Sequence, residues 1–104
     1  MFWQQTQRLY TVSLSGTNLW IDLDGEQVKM AFIATRFVRG RKADDAKLIA
    51  HSMVMDELAT ILRNPSNDEP VIVVEKVLEG GPWFCLERRN RGFTWYPDDD
   101  HLEA

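Results

Sequence analysis

The sequence has little from which to build a covalent scaffold or a membrane anchor. Its single cysteine, Cys85, excludes an internal disulfide framework. No apolar run approaches the roughly 20 residues that span a bilayer. The N-terminus lacks the basic start and apolar stretch of a signal peptide. The net charge of -4 also argues against a wholly basic nucleic-acid binder. We therefore expect a cytoplasmic protein with no membrane partner.

Reactive groups are equally sparse. Two histidines at distant positions, His51 and His101, and one cysteine make no ligand set for zinc. Cys85 stands between Phe84 and Leu86, which is typical of a small core residue rather than of a nucleophile activated by His51. The chain has no glycine-rich phosphate loop and no serine elbow. The sequence predicts no enzyme, no catalytic residue, no cofactor and no metal.

A hydrophobic core is well supplied. The chain has 104 residues, 44% of them apolar, which suits one domain. We expect residues 1–104 to form a single α+β domain, with 98–104 as a flexible acidic tail.

Apolar residues alternate with polar ones in the N-terminal third, which predicts strands with one buried face. Tyr10 to Ser15 and Leu19 to Leu23 show this alternation, with an interruption at 16–18. The stretch from Val28 to Val38 is almost continuously apolar or β-prone, as in a strand covered on both faces. Later strands are predicted at 71–78, 83–86 and 93–96.

A helix is predicted from about Asp44 to Arg63, starting at an N-cap of Ala43 or Asp44 and stopped by Asn64-Pro65. Its spacing gives a buried face that comprises Ala46, Ile49, Ala50, Met53, Val54, Leu58 and Ile61. Leu48 and Met55 lie away from that face, so the helix is apolar over more than the usual arc. Something besides its own sheet is expected to cover it.

These elements predict an α+β two-layer sandwich. A mostly antiparallel sheet of four to six strands carries one long helix on one face, in the order β-β-α-β-β. The helix is expected to join two parallel strands through a crossover. The second face of the sheet, with Ile33 and Phe37, is too apolar to be wet. We therefore predict a homodimer through a surface that includes Ile33, Phe37, Leu48 and Met55.

One acidic motif resembles a catalytic one. The strand that ends in Asp22-Leu23-Asp24-Gly25 resembles the first motif of haloacid-dehalogenase-like phosphatases, in which the first aspartate is the nucleophile. That chemistry needs a helix after the motif, whereas a strand is predicted here. Asp24-Gly25 instead favours a tight hairpin turn. A calcium loop of the EF-hand type would need further acidic ligands that the chain lacks at this spacing.

Basic residues form two groups, one of them beside aromatic residues. The groups are Arg36, Arg39, Arg41 and Lys42, and Arg88, Arg89 and Arg91, the second followed by Trp95 and Tyr96. Arginine beside aromatic rings is a pattern that single-stranded nucleic-acid binding uses. Arg36 interrupts an apolar strand, so its charge must be paired or lie at an interface. Glu75 on a neighbouring strand is its expected partner.

Three hypotheses follow. The first is a non-enzymatic interaction module, a homodimer that binds an unidentified protein partner. The second is an RNA- or single-stranded-DNA-binding module whose binding surface comprises Arg36, Arg88, Arg89, Arg91, Trp95 and Tyr96. The third is a small-ligand protein or minor enzyme with a pocket near His51 and Arg36.

Overall fold

The computed structural model describes residues 7–80 and 92–98, which form four strands and one helix. The elements are β1 (Arg8–Leu23), β2 (Glu26–Gly40), α1 (Ala43–Leu58), β3 (Val71–Glu79) and β4 (Thr94–Pro97). Their order is the predicted one. The predicted strand at 83–86, most of the predicted tail at 98–104, and Cys85 and His101 lie outside the described residues.

The four strands form one sheet in the order β3-β1-β2-β4, and every neighbouring pair is antiparallel. Since β2 and β3 both run against β1, they point in the same direction. The helix connects them, as expected for a crossover, but β1 lies between them in the sheet. The predicted α+β sandwich with one helix on an antiparallel sheet is confirmed.

β1 and β2 form a hairpin that runs almost the whole length of the molecule. Their pairing extends from Arg8 opposite Gly40 to Leu23 opposite Glu26. The turn is Asp24-Gly25, where φ is 53° and 88°, and the amide of Gly25 donates to the Asp22 carboxylate. Both turn residues adopt the left-handed conformation that a two-residue hairpin requires. The hairpin prediction is confirmed.

The predicted interruption at 16–18 is a bulge inside a continuous β1. The register with β2 shifts between Gly16 and Leu19, and Asn18 has a φ of 61°. A Cβ on Gly16 would lie 2.2 Å from the Phe32 ring. Only glycine leaves room for that ring beneath the strand.

The core lies between α1 and one face of the sheet. Alternate residues of β1 and β2 meet a column of helix residues spaced four apart, which share one side of α1. The core residues are Tyr10, Val12, Leu14, Leu19, Phe32, Ala34, Val38, Ala46, Ala50, Val54 and Leu58. This layer fixes which face of the sheet is covered and which is left open.

The helix ends at Leu58, five residues before the predicted end at Arg63. Beyond it, Leu62 forms a β-bridge with Ile21, and the amide of Arg63 donates to the carbonyl of Trp20 at 2.7 Å. Pairing with the edge of β1 thus overrides local helix propensity. As a result Ile61, predicted to be buried, is exposed.

The beginning of the helix also differs from the prediction. The N-cap is Lys42, whose side chain makes no capping hydrogen bond. The carboxylate of Asp45 instead accepts from the backbone amide of Arg41 at 3.1 Å. Ile49, predicted to be buried, is exposed one turn later.

Asn64 fastens the loop after the helix to the bulge in β1. Its side-chain amide donates to the carbonyls of Asn18 and Asp68, each at 2.8 Å, and its side-chain oxygen accepts from the amide of Trp20 at 2.9 Å. The side chain of Asn18 donates in turn to Asp68, and its backbone amide donates to the carboxylate of Asp98, also at 2.8 Å. This network joins the loop, the bulge and the end of β4.

The helix α1 has 16 residues, and nowhere in the described ranges is a helix long and apolar enough to cross a membrane.

Candidate functional site

Arg36 lies in the protein interior. The residue is 0% exposed, on the helix-facing side of β2. Its guanidinium donates to Glu57 Oε1 at 2.9 Å, and to the carbonyls of Thr35 and Gly92 at 2.9 and 3.1 Å. It also stands over the Phe93 ring, 5.1 Å from the centroid. In this position Arg36 ties the helix to the start of β4 and presents no charge to a surface ligand.

Glu75, the partner expected for Arg36, is on the opposite face of the sheet. It occupies a bulge in β3, between the pairs Ser13–Lys76 and Leu14–Val74. Its carboxylate accepts a hydrogen bond of 2.6 Å from the Ser15 hydroxyl. The partner of Arg36 that the structure shows is therefore Glu57.

Trp95 and Tyr96 point to opposite faces of β4. Trp95 packs against the core in an edge-on contact with Phe32, with ring centroids 5.7 Å apart, and also contacts Phe93. Tyr96 is exposed on the other face. The ring of Trp95 is therefore committed to packing, and only Tyr96 of this pair offers a surface to a partner.

Arg88, Arg89 and Arg91 lie outside the described residues. The interface with single-stranded nucleic acid that they and the aromatic residues predict stays a prediction. His51, named for a small-ligand pocket, is half-buried on α1.

The sheet face away from the helix is open; we call it the open face. Apolar side chains at its two sides stay exposed, and Ile33, near its middle, is 52% exposed. The exposed apolar residues of this face are Ile33, Val71, Val73, Leu78 and Tyr96. Between them runs a strip of hydroxyl side chains on the central strand β1, formed by Thr11, Ser13, Ser15 and Thr17. One face of the sheet is thus apolar at both flanks and hydrogen-bonding along its centre.

A shallow depression of about 830 Å³ occupies the middle of the open face. Its lining includes Ser13, Ser15, Ile33, Glu75 and Tyr96. It is concave, and its lining combines polar and apolar side chains.

The four residues predicted for a dimer surface have different environments. Ile33 is exposed on the open face. Phe37, four residues later on the same side of β2, is only 8% exposed. On the helix, Leu48 is 72% exposed and Met55 is half-buried. Ile33 and Leu48 therefore belong to two separate exposed apolar regions on opposite sides of the molecule.

Charge is distributed unevenly along the 54 Å length of the molecule. The end where β1 begins and β2 finishes carries Arg8, Arg39, Arg41, Lys42 and Lys47, against Asp44, Asp45 and Glu79. We call this the basic end. The hairpin end carries Asp22, Asp24, Glu26, Asp68, Glu69 and Asp98, against Lys29 and Arg63. We call this the acidic end.

A small groove of about 250 Å³ lies at the basic end, beside the start of α1. Its lining combines basic and apolar side chains: Gln7, Arg39, Arg41, Asp45, Leu48 and Ile49. We call it the helix-end groove.

The role of Glu57 was not predicted from the sequence. A weak signal was present: Glu57 stands three residues after the buried Val54, beside the apolar column of α1. A carboxylate at the edge of the buried face of a helix can point toward the sheet on which the helix packs. Only the packing shows that Arg36 lies beneath it.

In the parts of the chain that the structure describes, no three His, Cys, Asp or Glu side chains are grouped to hold a metal ion. Comparison with protein-family models, with curated proteins and with solved structures gives no match for this chain.

Proposed function

We propose that this chain is a non-enzymatic protein-interaction module that acts as a homodimer, with the open face as its interface. The observation that carries this proposal is the exposure of Ile33, Val73 and Leu78 on one continuous sheet face opposite the helix. Apolar side chains exposed on both flanks of one sheet face are typical of an interaction site.

The open face is large enough for a specific interface. The part where β1, β2 and β3 lie side by side extends over Tyr10–Thr17 of β1, and β4 adds a short fourth row. At about 3.3 Å per residue and about 4.8 Å per strand, this gives a flat area of roughly 450 Å² per copy. Side-chain relief raises the total for two copies above about 1,000 Å², the lower limit for a specific interface.

Charge favours a second copy as the occupant. A two-fold axis that lies between the two open faces, at right angles to the strands and at the level of Ser13 and Leu14, lays the basic end of each copy over the acidic end of the other. Arg39 pairs with Leu9 at one end of β1, whereas Asp98 and Asp68 contact Asn18 toward the other end. In the dimer, Arg39 therefore lies at the same height along the strands as Asp98 and Asp68 of the partner subunit. Complementary ends fix the orientation of the two copies and repel a parallel arrangement.

Charges near the middle of the open face are also self-complementary. Glu75 and Lys76 are adjacent in the bulge of β3, so each meets its opposite charge across a two-fold axis. The hydroxyls of Thr11 and Ser15 donate within their own copy, to the Gly80 carbonyl and the Glu75 carboxylate. Their oxygens can still accept hydrogen bonds from the symmetry mate, which limits the cost of removing polar groups from water.

The solution mass over a concentration series from about 1 µM to about 1 mM tests the proposal. We expect a transition from one to two copies, and Ile33→Asp should raise the dimer Kd at least about 30-fold, because it places a carboxylate in the apolar interface. Ile61→Asp is the matched control, since Ile61 is exposed away from the open face. A chain that stays monomeric throughout, or equal effects of the two variants, would contradict the proposal.

A further inference from the structure

The bulge in β3 determines which charges this strand presents on the open face. Relative to β1, the strand has one extra residue at this point, Glu75. In a regular strand, two successive side chains lie on opposite faces. Here Lys76 pairs with Ser13 of the hydroxyl strip, and the carboxylate of Glu75 accepts from the hydroxyl of Ser15 in the same strip. The acid and the base therefore lie next to each other on the open face, and both are exposed.

The bulge leaves the packing of β3 against the core intact. Val74 before it and Val77 after it both pack against the core. Two outward residues, Glu75 and Lys76, thus stand between two inward ones where a regular strand would have one. A bulge can re-aim a side chain without disturbing the rest of its strand. In this strand its effect on the surface is to add a charge of opposite sign beside Lys76.

This pair of charges lies at the level of the proposed two-fold axis. Glu75 falls between the levels of Ser13 and Leu14, where the axis passes. Because the axis runs across the strands, the rotation lays β3 of one copy over β3 of the other. Glu75 then stands within about 3 Å, measured along the strands, of Lys76 of the partner subunit. The gap between packed sheets is about 10 Å, which a glutamate and a lysine side chain together can bridge.

We infer that the bulge in β3 selects the partner of the open face, an inference that rests on the proposed dimer. Glu75 and Lys76 of each copy form ion pairs with Lys76 and Glu75 of the partner subunit. A second copy offers the opposite charge at both points. A partner surface that is wholly acidic or wholly basic would place a like charge against one of them, which disfavours that partner.

Charge reversal on separate chains tests the two reciprocal pairs. Glu75→Lys and Lys76→Glu each turn both contacts of a homodimer into like-charge contacts, so each should raise the dimer Kd at least about tenfold. In an equimolar mixture of the two variants, both contacts join opposite charges again. The mixture should therefore dimerise with a Kd within about threefold of that of the parent, measured by sedimentation at the same total concentration. Recovery in the mixture also shows that each variant is folded.

Asp56→Lys is the matched control for Glu75→Lys. It makes the same change of charge at an exposed position of α1, on the other side of the sheet. It should leave the dimer Kd within about twofold of that of the parent, whereas salt at about 0.5 M should reduce the effect of Glu75→Lys at least about threefold. Equal effects of the two variants, or a mixture no more dimeric than its components, would overturn the inference.

Exchange of the two charges within one chain tests partner selection. A chain with both Glu75→Lys and Lys76→Glu should dimerise with itself, because opposite charges still meet. Against the parent it forms two like-charge contacts. We expect energy transfer between labelled parent and labelled exchange chains to require at least about tenfold higher concentration than transfer between two parent chains. Equally ready mixing would overturn the inference.

These outcomes separate the inference from the proposed function. A parent chain that dimerises, with no recovery when the two reversed variants are mixed, rejects the ion pairs and leaves the proposed function standing. A parent chain that stays monomeric up to about 1 mM rejects the dimer, and with it the inference.

Discussion

Replacing Glu57 by leucine leaves the buried Arg36 guanidinium without its ion-pair partner. The cost of this change in folding free energy can be worked out from the structure. Arg36 is 0% exposed, whereas the side chain of Glu57 is 31% exposed. Removing one partner of a buried ion pair costs about 3 to 5 kcal/mol, chiefly because the other charge remains buried and uncompensated. Since Glu57 is partly hydrated, we expect the lower limit, about 3 kcal/mol, for Glu57→Leu.

The reverse change is expected to cost less. Arg36→Met leaves the carboxylate of Glu57, which water reaches, and removes the bond to Gly92 and the contact with Phe93. These losses total about 1 to 2 kcal/mol. The double variant leaves no buried charge and should cost about the same as Arg36→Met alone. The coupling between the two residues then equals the cost of Glu57→Leu alone, about 3 kcal/mol.

Urea unfolding at one fixed protein concentration measures all four proteins, and an unchanged m-value shows that the free energies are comparable. Asp56→Leu, at the exposed neighbouring helix position, is the matched control and should stay within about 0.5 kcal/mol of the parent. Additive effects of the two single changes, or a greater cost for Arg36→Met than for Glu57→Leu, would refute the reasoning.

Two further changes probe the bulge of β1 and the hydrogen bonds by which the Asn64 side chain holds the neighbouring loop to that bulge, which we call the clamp. Gly16→Ala places a Cβ 2.2 Å from the buried Phe32 ring. We expect thermal denaturation to show a free energy of unfolding lower by about 2 to 3 kcal/mol. A loss under about 0.5 kcal/mol would show that the ring is not confined. Asn64→Ala should cost about 2 to 3 kcal/mol and speed hydrogen exchange at the Trp20 amide, which loses its acceptor. The exposed Asn67→Ala in the same loop should do neither, and equal behaviour of the two asparagine variants would count against the clamp.

The strands were predictable because their residues carry their own signals. The valine-rich stretch from Val71 marks β3, and Asp24-Gly25 marks the hairpin turn by its tolerance of positive φ. The end of the helix was not predictable in this way. Residues 59–62 are as helix-compatible as those before them, and only the pairing of Leu62 with Ile21 removes them from the helix.

The sequence was enough to predict an apolar second face of the sheet, but not which of its side chains are exposed. Period-two spacing placed Ile33 and Phe37 on the second face of the sheet, yet Ile33 is exposed and Phe37 is buried. Alternation determines the face of the strand on which a side chain lies. Its exposure depends on which other parts of the molecule pack over that position. The partner of Arg36 was not predicted for a different reason. Alternation places Arg36 on the helix-facing side of β2, but neither the bulge at Glu75 nor the packing that brings Glu57 close to Arg36 leaves a mark in the sequence.

The distance between two spin labels, one on each copy at Gln27, tests the central claim most directly. Gln27→Cys is introduced with Cys85→Ser, so that only the exposed position near the hairpin end is labelled. Gln27 pairs with Asp22, eight to nine residues from the proposed axis, so antiparallel copies joined through the open face place the labels about 55 Å apart. Labels within about 20 Å would indicate parallel copies. A chain that shows no intermolecular distance at a concentration of about 1 mM would contradict the dimer itself.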